Sequence, residues 1–375
     1  MDSPAQPTGE AAPTPGRGAR AARVVRHLAL LLLSFGLVSA WVRSHAPWPS
    51  EYAMDAKMEA FFADKDEFDC LYVGPSSIYR SFMPEVIDPI VSRELGRPFR
   101  SFNLGMGALF GHETDAILRE VLASKPARLK WVVMQPGDYY PQFRLGRNIW
   151  TEREVRWHDL QGTLEVLRSV AIMKDQEDWE LPAWERFKLA FTHIELLGWH
   201  YGNFGLGKRM LAPLFGADDP ELPALIEQMR RQGGYQALED ARDEEAIERG
   251  KWFRENPQDY IDKVADLRSK FDNVAPLEDY NFQAHLDQQA MILDGGYELF
   301  YVVPPIINPP ALINALRRKG LLPQTIDLNG PDRYPVLYRP ELHFDRGHLN
   351  RAGAQVFSEM FAERLIDAIE KTGAP

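Results

Sequence analysis

The stretch Asp69-Cys70-Leu71-Tyr72-Val73-Gly74-Pro75-Ser76-Ser77-Ile78-Tyr79-Arg80 constrains the fold more than any other part of the chain. It opens as a short apolar run of buried-strand length and breaks at Gly-Pro-Ser-Ser. It then passes into a helix-like segment with Pro84 at its first turn and apolar Val86, Ile87, Ile90 and Val91. Pro89 interrupts the regularity of that segment. A strand that stops at a glycine and hands over to a helix leaves its turn residues at the carboxyl edge of a sheet, where open α/β sheets bind ligands. A serine at that edge stands close to backbone N–H groups able to face developing negative charge. The same serine would serve as a plain helix cap, so a chemical role depends on a partner elsewhere in the chain.

The strand-then-helix pattern repeats. Residues 99–104 read as a second strand ending in Asn103-Leu104-Gly105-Met106-Gly107-Ala108, and 112–124 as a helix. Residues 131–134 read as a third buried strand ending in Gln135-Pro136-Gly137-Asp138. Such alternation predicts an α/β fold with a doubly wound parallel sheet, completed by a fourth strand at 297–303 and a short fifth at 336–338. A closing helix is expected over 350–371, with another over 283–293.

Between 144 and 282 the pattern becomes helical, charged and rich in aromatic residues, including Trp150, Trp157, Trp179, Trp184, Trp199 and Trp252. We read it as a helical insertion or cap, with its most acidic part, 218–259, solvated. Trp199, Tyr201 and Phe204, set among Gly198, Gly202 and Gly205, suit either core packing or a sugar- or lipid-facing groove. The expected organisation is a disordered tail over 1–23, a signal or anchor segment over 24–43, and α/β parts over 44–143 and 283–375 flanking the insertion.

Arg17, Arg20, Arg23 and Arg26 precede an uncharged apolar run over 28–42, and no acidic residue stands between Glu10 and Glu51. This is the pattern of an export signal or of a signal anchor. Val38-Ser39-Ala40 offers a small-residue cleavage site, spoiled by the adjacent Trp41. Retention as an inner-membrane anchor is the preferred expectation, secretion after cleavage the alternative. The positive-inside bias keeps the N-terminus in the cytoplasm and sends the body outward, to the periplasm or outside.

The 375 residues suffice for a large core, which would bury roughly three quarters of the unfolded surface. The single cysteine, Cys70, excludes an internal disulfide framework and any cysteine-based zinc cluster, and reads as a small core hydrophobe. The formal net charge of -11 argues against nucleic-acid binding. No cofactor motif is present, and His343-x-Asp345-x-x-His348 matches no metal-ligand spacing.

The partner for the serine stands just before the closing helix, in Phe344-Asp345-Arg346-Gly347-His348-Leu349-Asn350. A carboxylate three residues before a histidine can reach its Nδ1–H, orient the ring and stabilise the imidazolium. A general base for a serine requires that arrangement.

Together these blocks, Gly-x-Ser after the first strand, Asn-x-Gly-x-Gly after the second and Asp-x-x-His-Leu-Asn-x-x-Gly before the last helix, resemble the SGNH (GDSL-like) hydrolase superfamily. The Gly-x-Ser-Ser-x-Tyr-Arg form and the long insertion look like its bacterial membrane-anchored or periplasmic branch. That branch includes proteins that handle acyl groups on cell-envelope polymers, such as the D-alanine transfer protein of teichoic acids and alginate acetylation factors. The resemblance covers 69–138 and 297–368. It implies a three-layer flavodoxin-like sheet, with Ser76 as nucleophile, His348 as general base and then acid, and Asp345 as its orienting partner; Ser77 is the runner-up to Ser76.

It also implies oxyanion donors at the backbone N–H of Ser76 and of Ala108, next to Gly107, where the family usually has a glycine in place of Ala108. The chain departs further at the third block, where the family presents Gly-x-Asn-Asp and this chain has Gln135-Pro136-Gly137-Asp138. Gln135 or a backbone group would have to replace the missing asparagine, whose loss costs about 2.7–4 kcal/mol of transition-state stabilisation. The implied activity is that of an exported serine esterase or O-acyltransferase acting without a cofactor. Its implied partners are an acylated carbohydrate polymer, the membrane and a membrane acyl-carrier protein. The alternative is a non-catalytic binding or assembly protein that keeps the fold.

Overall fold

The computed structural model describes residues 17–45, 52–139, 151–173, 182–203, 221–241 and 243–373. Residues 1–16 of the expected tail, together with Trp150, Trp179, Phe204 and Gly205, lie outside the described residues. Helix α1 (Arg17–His45) is followed by α2 (Tyr52–Ala63), β1 (Cys70–Val73), α3 (Ser76–Tyr79), α4 (Pro84–Leu95), β2 (Ser101–Asn103), α5 (Gly111–Ala123) and β3 (Trp131–Met134). The insertion contributes α6 (Glu152–Trp157), α7 (Leu160–Ile172) and α8 (Ala183–Gly202), then the helices Leu222–Arg231, Glu244–Glu255, Pro257–Lys270 and Asp279–Asp294. β4 (Glu298–Val303), β5 (Thr325–Asp327), a two-stranded ribbon of β6 (His343–Asp345) and β7 (His348–Leu349), and the helix Arg351–Thr372 complete the described chain.

The fold is mixed α/β around a five-stranded parallel sheet of order β2-β1-β3-β4-β5. Strands β1 and β3 are buried along their whole length, which is why they read as unbroken apolar runs rather than as alternating ones. The side chains still alternate between two cores. Leu71, Val73, Val132, Met134, Leu299 and Val303 pack with Phe61 of α2 and Ile117, Leu118 and Val121 of α5. Cys70, Tyr72, Trp131, Val133, Phe300 and Val302 pack with Ile87 and Val91 of α4 and with Phe357, Phe361 and Leu365 of the last helix. Each of these fully buried large side chains stabilises the fold by roughly 1.5–3 kcal/mol, and the two cores hold the sheet from both sides.

Two expectations need correction. Residues 336–338 are not a strand: Pro335–Tyr338 forms a short 3-10 turn that buries Leu337 and Tyr338. The fifth strand is Thr325–Asp327, whose flanking polar residues are only partly buried at the sheet edge. α1 also begins at Arg17, so 17–23 is helical rather than disordered.

One described helix, over Arg20–His45, is long and apolar enough to cross a membrane. Its body-side end is fastened to α8. Asn203 Nδ2 donates to Ser39 O at 2.7 Å, and Arg43 donates to His200 Nε2 at 2.8 Å and to Asn203 Oδ1 at 3.1 Å.

The turn after β1 is set by its neighbours. Gly105 is required there, because a Cβ would lie 2.5 Å from the Tyr79 amide nitrogen. Fully buried Asn103, at the end of β2, donates from Nδ2 to the carbonyls of Ile78 (3.0 Å), Tyr79 (3.3 Å) and Phe82 (2.9 Å). Its Oδ1 accepts from Gly105 N at 2.9 Å. Asn103→Ala would strip buried carbonyls and one N–H of their partner, so we expect a loss of about 3 kcal/mol. Urea denaturation of the two proteins measures it.

Candidate active site

Ser76 is the first residue of α3 and stands at the carboxyl edge of β1. β1 lies between β2 and β3, where the strand order reverses, the position at which open parallel sheets form their crevice. Pairing continues beyond the strand ends: Leu104 N donates to Tyr72 O at 2.8 Å and Met106 N to Gly74 O at 3.0 Å. Gly107 and Ala108 are thereby carried to the same edge.

Asp345 and His348 come from the ribbon. The two residues form a cross-strand pair in β6–β7, joined by Arg346-Gly347 alone. A pair directly opposite on antiparallel strands presents its side chains on one face, which explains the three-residue spacing. The sequence places this motif in a turn entering a helix, whereas it forms a hairpin with Asn350 capping the helix behind it, through Oδ1 to Gly353 N at 2.9 Å.

The geometry is that of a relay. His348 Nε2 lies 2.8 Å from Ser76 Oγ, and His348 Nδ1 lies 2.8 Å from Asp345 Oδ1. Gly347 N donates to the same Asp345 oxygen at 2.8 Å, while Arg249 Nε donates to Asp345 Oδ2 at 2.7 Å. Burial pushes the Asp345 carboxyl up, but the hydrogen bond and charge of His348, the Gly347 N–H and Arg249 outweigh it and hold it down at about 2. An ionised Asp345 fixes the proton of a neutral imidazole on Nδ1. Nε2 is then left to accept from the serine.

Arg249 is a residue that sequence reading missed. It belongs to the acidic stretch expected to be solvated, yet its helix, Glu244–Glu255, packs on β6. Gln236 from the same stretch accepts from Tyr79 Oη at 2.6 Å through Oε1 and from Arg80 Nη1 at 2.9 Å through its carbonyl. Lys57 of α2 was also missed. Fully buried, it donates to Asn103 O at 2.9 Å and to Gly105 O, with its ammonium 3.5 Å from the Tyr79 ring centre. Burial pushes its pKa well down, with nearby Arg80 adding to the effect. Nothing in its sequence context distinguishes it from a solvated lysine.

Ser77 donates to Gln135 Oε1 at 2.5 Å. The Gln135 oxygen is therefore occupied and its NH₂ is the end left to donate. Ala108 adopts φ +49°, the left-handed region that favours glycine. Asp138 contributes its carbonyl to Gly111 N at 3.2 Å, at the start of α5. Trp199 is half-buried on α8 and Tyr201 is exposed.

A cavity of about 480 Å³ opens beside His348, lined by Arg249, Trp252, Phe253, Arg346 and Gly347. A larger one, about 590 Å³, shares no residue with the relay. Among its walls His112, Asp115 and Glu165 bring one potential metal-ligating atom each within 4.8 Å of the others. Glu165 is already paired with Arg119 at 2.7 Å, and Asp115 already accepts from Tyr139 Oη at 3.0 Å and from Gln288 Nε2. His343 is tied into the core, its Nε2 2.7 Å from Tyr260 Oη and 2.9 Å from Leu337 O.

Compared with known proteins, the chain matches no family model, and no curated protein matches it either.

Two outcomes follow from this geometry. The Asp345 carboxyl is lowered in the folded protein relative to about 3.9 in an unfolded chain, so its contribution is complete above pH ~4 and is lost as pH falls toward ~2. That contribution is about 2–3 kcal/mol, and Asp345→Asn should flatten the urea midpoint against pH across this window. Ala108→Gly should relieve the left-handed strain and raise stability by up to about 1 kcal/mol, read as a rise in melting temperature.

Proposed function

We propose that the protein is a serine esterase or O-acyltransferase of the SGNH type, held at the membrane by α1 with its body on the outer side. The observation that carries this reading is the hydrogen-bonded chain Ser76–His348–Asp345, 2.8 Å at each link, at the switch point of a parallel sheet. The strand order and the cores on both faces of the sheet support the three-layer doubly wound arrangement that goes with this assignment.

In the proposed reaction Ser76 Oγ attacks the carbonyl carbon of an acyl ester while His348 Nε2 takes its proton. The Asp345 carboxylate stabilises the imidazolium. The tetrahedral oxyanion is met by the backbone N–H of Ser76, which has no partner within its own helix, and by that of Ala108. The Gln135 amide, turned by Ser77, supplies the third donor in place of the asparagine usual in this superfamily. Collapse expels the alcohol, which takes its proton from His348, and leaves an acyl-Ser76. Water or a sugar hydroxyl, deprotonated by His348, then releases the acyl group.

The cavity beside His348 gives the second nucleophile a route to the base. The length of α1 and its fastening at Ser39 and Arg43 support retention as an anchor, which in turn favours an acylated envelope polysaccharide as the substrate.

Labelling with a fluorophosphonate tests the nucleophile. The wild-type chain should label, and Ser76→Ala and His348→Ala should each lower the rate by at least about 10³-fold. A folded wild-type protein that resists the probe would overturn the proposal. Gln135→Ala should cut ester turnover by about 10²–10³-fold with little change in folding.

A further inference from the structure

α8 carries a row of large apolar side chains that are exposed among the described residues. Trp184, Phe187, Phe191 and Ile194 recur at helical spacing and are each 48–63% exposed, while Leu189, His193, Leu196 and His200 on the other side are buried. The aromatic members form a ridge, with ring centres 5.6 Å apart for Trp184–Phe187 and 6.2 Å for Phe187–Phe191. Leu160 and Leu164 of the neighbouring α7 are exposed as well.

The position of this ridge identifies what covers it. α8 packs against α1, and its C-terminal end is bonded to the span through Asn203 to Ser39 O and through Arg43 to His200 and Asn203. Ser39 is buried in that contact, whereas the apolar side chains of α1 from Val24 to Trp41 are open on the outside. The segment Arg20–His45 covers about 39 Å at 1.5 Å per residue, enough for a hydrocarbon core of about 30 Å. Ser39 and Arg43 therefore sit near its outer water boundary, where an arginine and the aromatic residues Trp41 and Tyr201 are favoured. A helix leaving that level with an uncovered aromatic face meets the headgroup and upper acyl region directly.

We infer that α8 is a second membrane-contacting helix, lying in the outer surface of the bilayer with Trp184, Phe187, Phe191 and Ile194 inserted beside the span. This inference rests on the anchor reading of α1. It makes the α6–α8 part of the insertion a seat on the lipid surface, while the later helices of the insertion serve the relay.

The test is spin labelling of the full chain in phosphatidylethanolamine and phosphatidylglycerol vesicles. Labels are placed at Phe187→Cys and Phe191→Cys, with Leu31→Cys marking the span and Ile247→Cys the exposed face of the helix Glu244–Glu255; Cys70 is buried and does not label. Oxygen should relax the labels at 187 and 191 several-fold more strongly, relative to a water-soluble nickel chelate, than the label at 247, approaching the value at 31. Labels at 187 and 191 that match 247 while 31 reads as lipid would overturn the inference and leave the anchor standing. A water-like label at 31 would remove the anchor and the inference with it. Protection from both relaxants with dipolar broadening would assign the ridge to a second copy, and would also overturn the inference.

Discussion

The side chain of Asn103 connects the parts of this structure that must agree for Ser76 to face His348. Its four hydrogen bonds hold three carbonyls of the α3 turn and the amide of Gly105, so the turn after β1 and the turn after β2 form one rigid unit. Lys57 holds the turn after β2 through the carbonyls of Asn103 and Gly105, and meets the α3 turn through the Tyr79 ring, 3.5 Å from its ammonium. Ser76 is therefore positioned by a neighbouring strand as much as by its own. The last helix adds a further tie, since Ser358 Oγ accepts from Met83 N at 3.0 Å and donates to Ser81 O at 2.9 Å. Packing of the sheet, closure of the turn and aim of the hydroxyl are thus not separable.

The relay joins pieces remote in sequence through short-range chemistry. Asp345 accepts with both oxygens, from the His348 ring and Gly347 N on one and from the Arg249 guanidinium on the other. The bidentate arrangement leaves the buried carboxylate with little unmet hydrogen-bonding demand, a condition for keeping a charge inside a protein. Arg249 arrives from the insertion, and Gln236 of the insertion secures Tyr79 and Arg80 close to Ser76. The acidic surroundings of Arg249 in the chain disguise this, because at the site the residue is selected by one oxygen atom and not by local composition.

What was legible in the sequence followed from burial. β1, β3 and β4 read correctly because a strand buried on both faces is largely apolar; Ser76 stood out at the glycine stop of a strand, and Asp345 and His348 by their three-residue spacing. β5 was missed because Thr325-Ile326-Asp327 has one apolar residue between two polar ones at a sheet edge, whereas Val336-Leu337-Tyr338 looked like a strand and is a turn begun by Pro335. Lys57 and Arg249 were invisible for a different reason. Each matters through one or two atoms that meet partners 46 and 96 residues away, and periodicity carries no signal for such a contact. The ribbon shows the intermediate case: the Asp-x-x-His spacing was readable, but its cause, a cross-strand pair closed by two residues, was not.

The grip of Arg249 on Asp345 bears on how such a chain can be trimmed. A designer seeking a minimal version would be drawn to excise the insertion and close the gap between β3 and the helix before β4, since all five strands of the sheet lie outside it. The shortened protein would keep Ser76, His348 and Asp345 and satisfy any motif search. It would also carry a carboxylate with one oxygen facing nothing and a Tyr79–Arg80 turn released from Gln236. Modularity in the sequence is here not modularity in the chemistry: the segment that looks like an accessory holds one oxygen of Asp345 and the turn that carries Ser76.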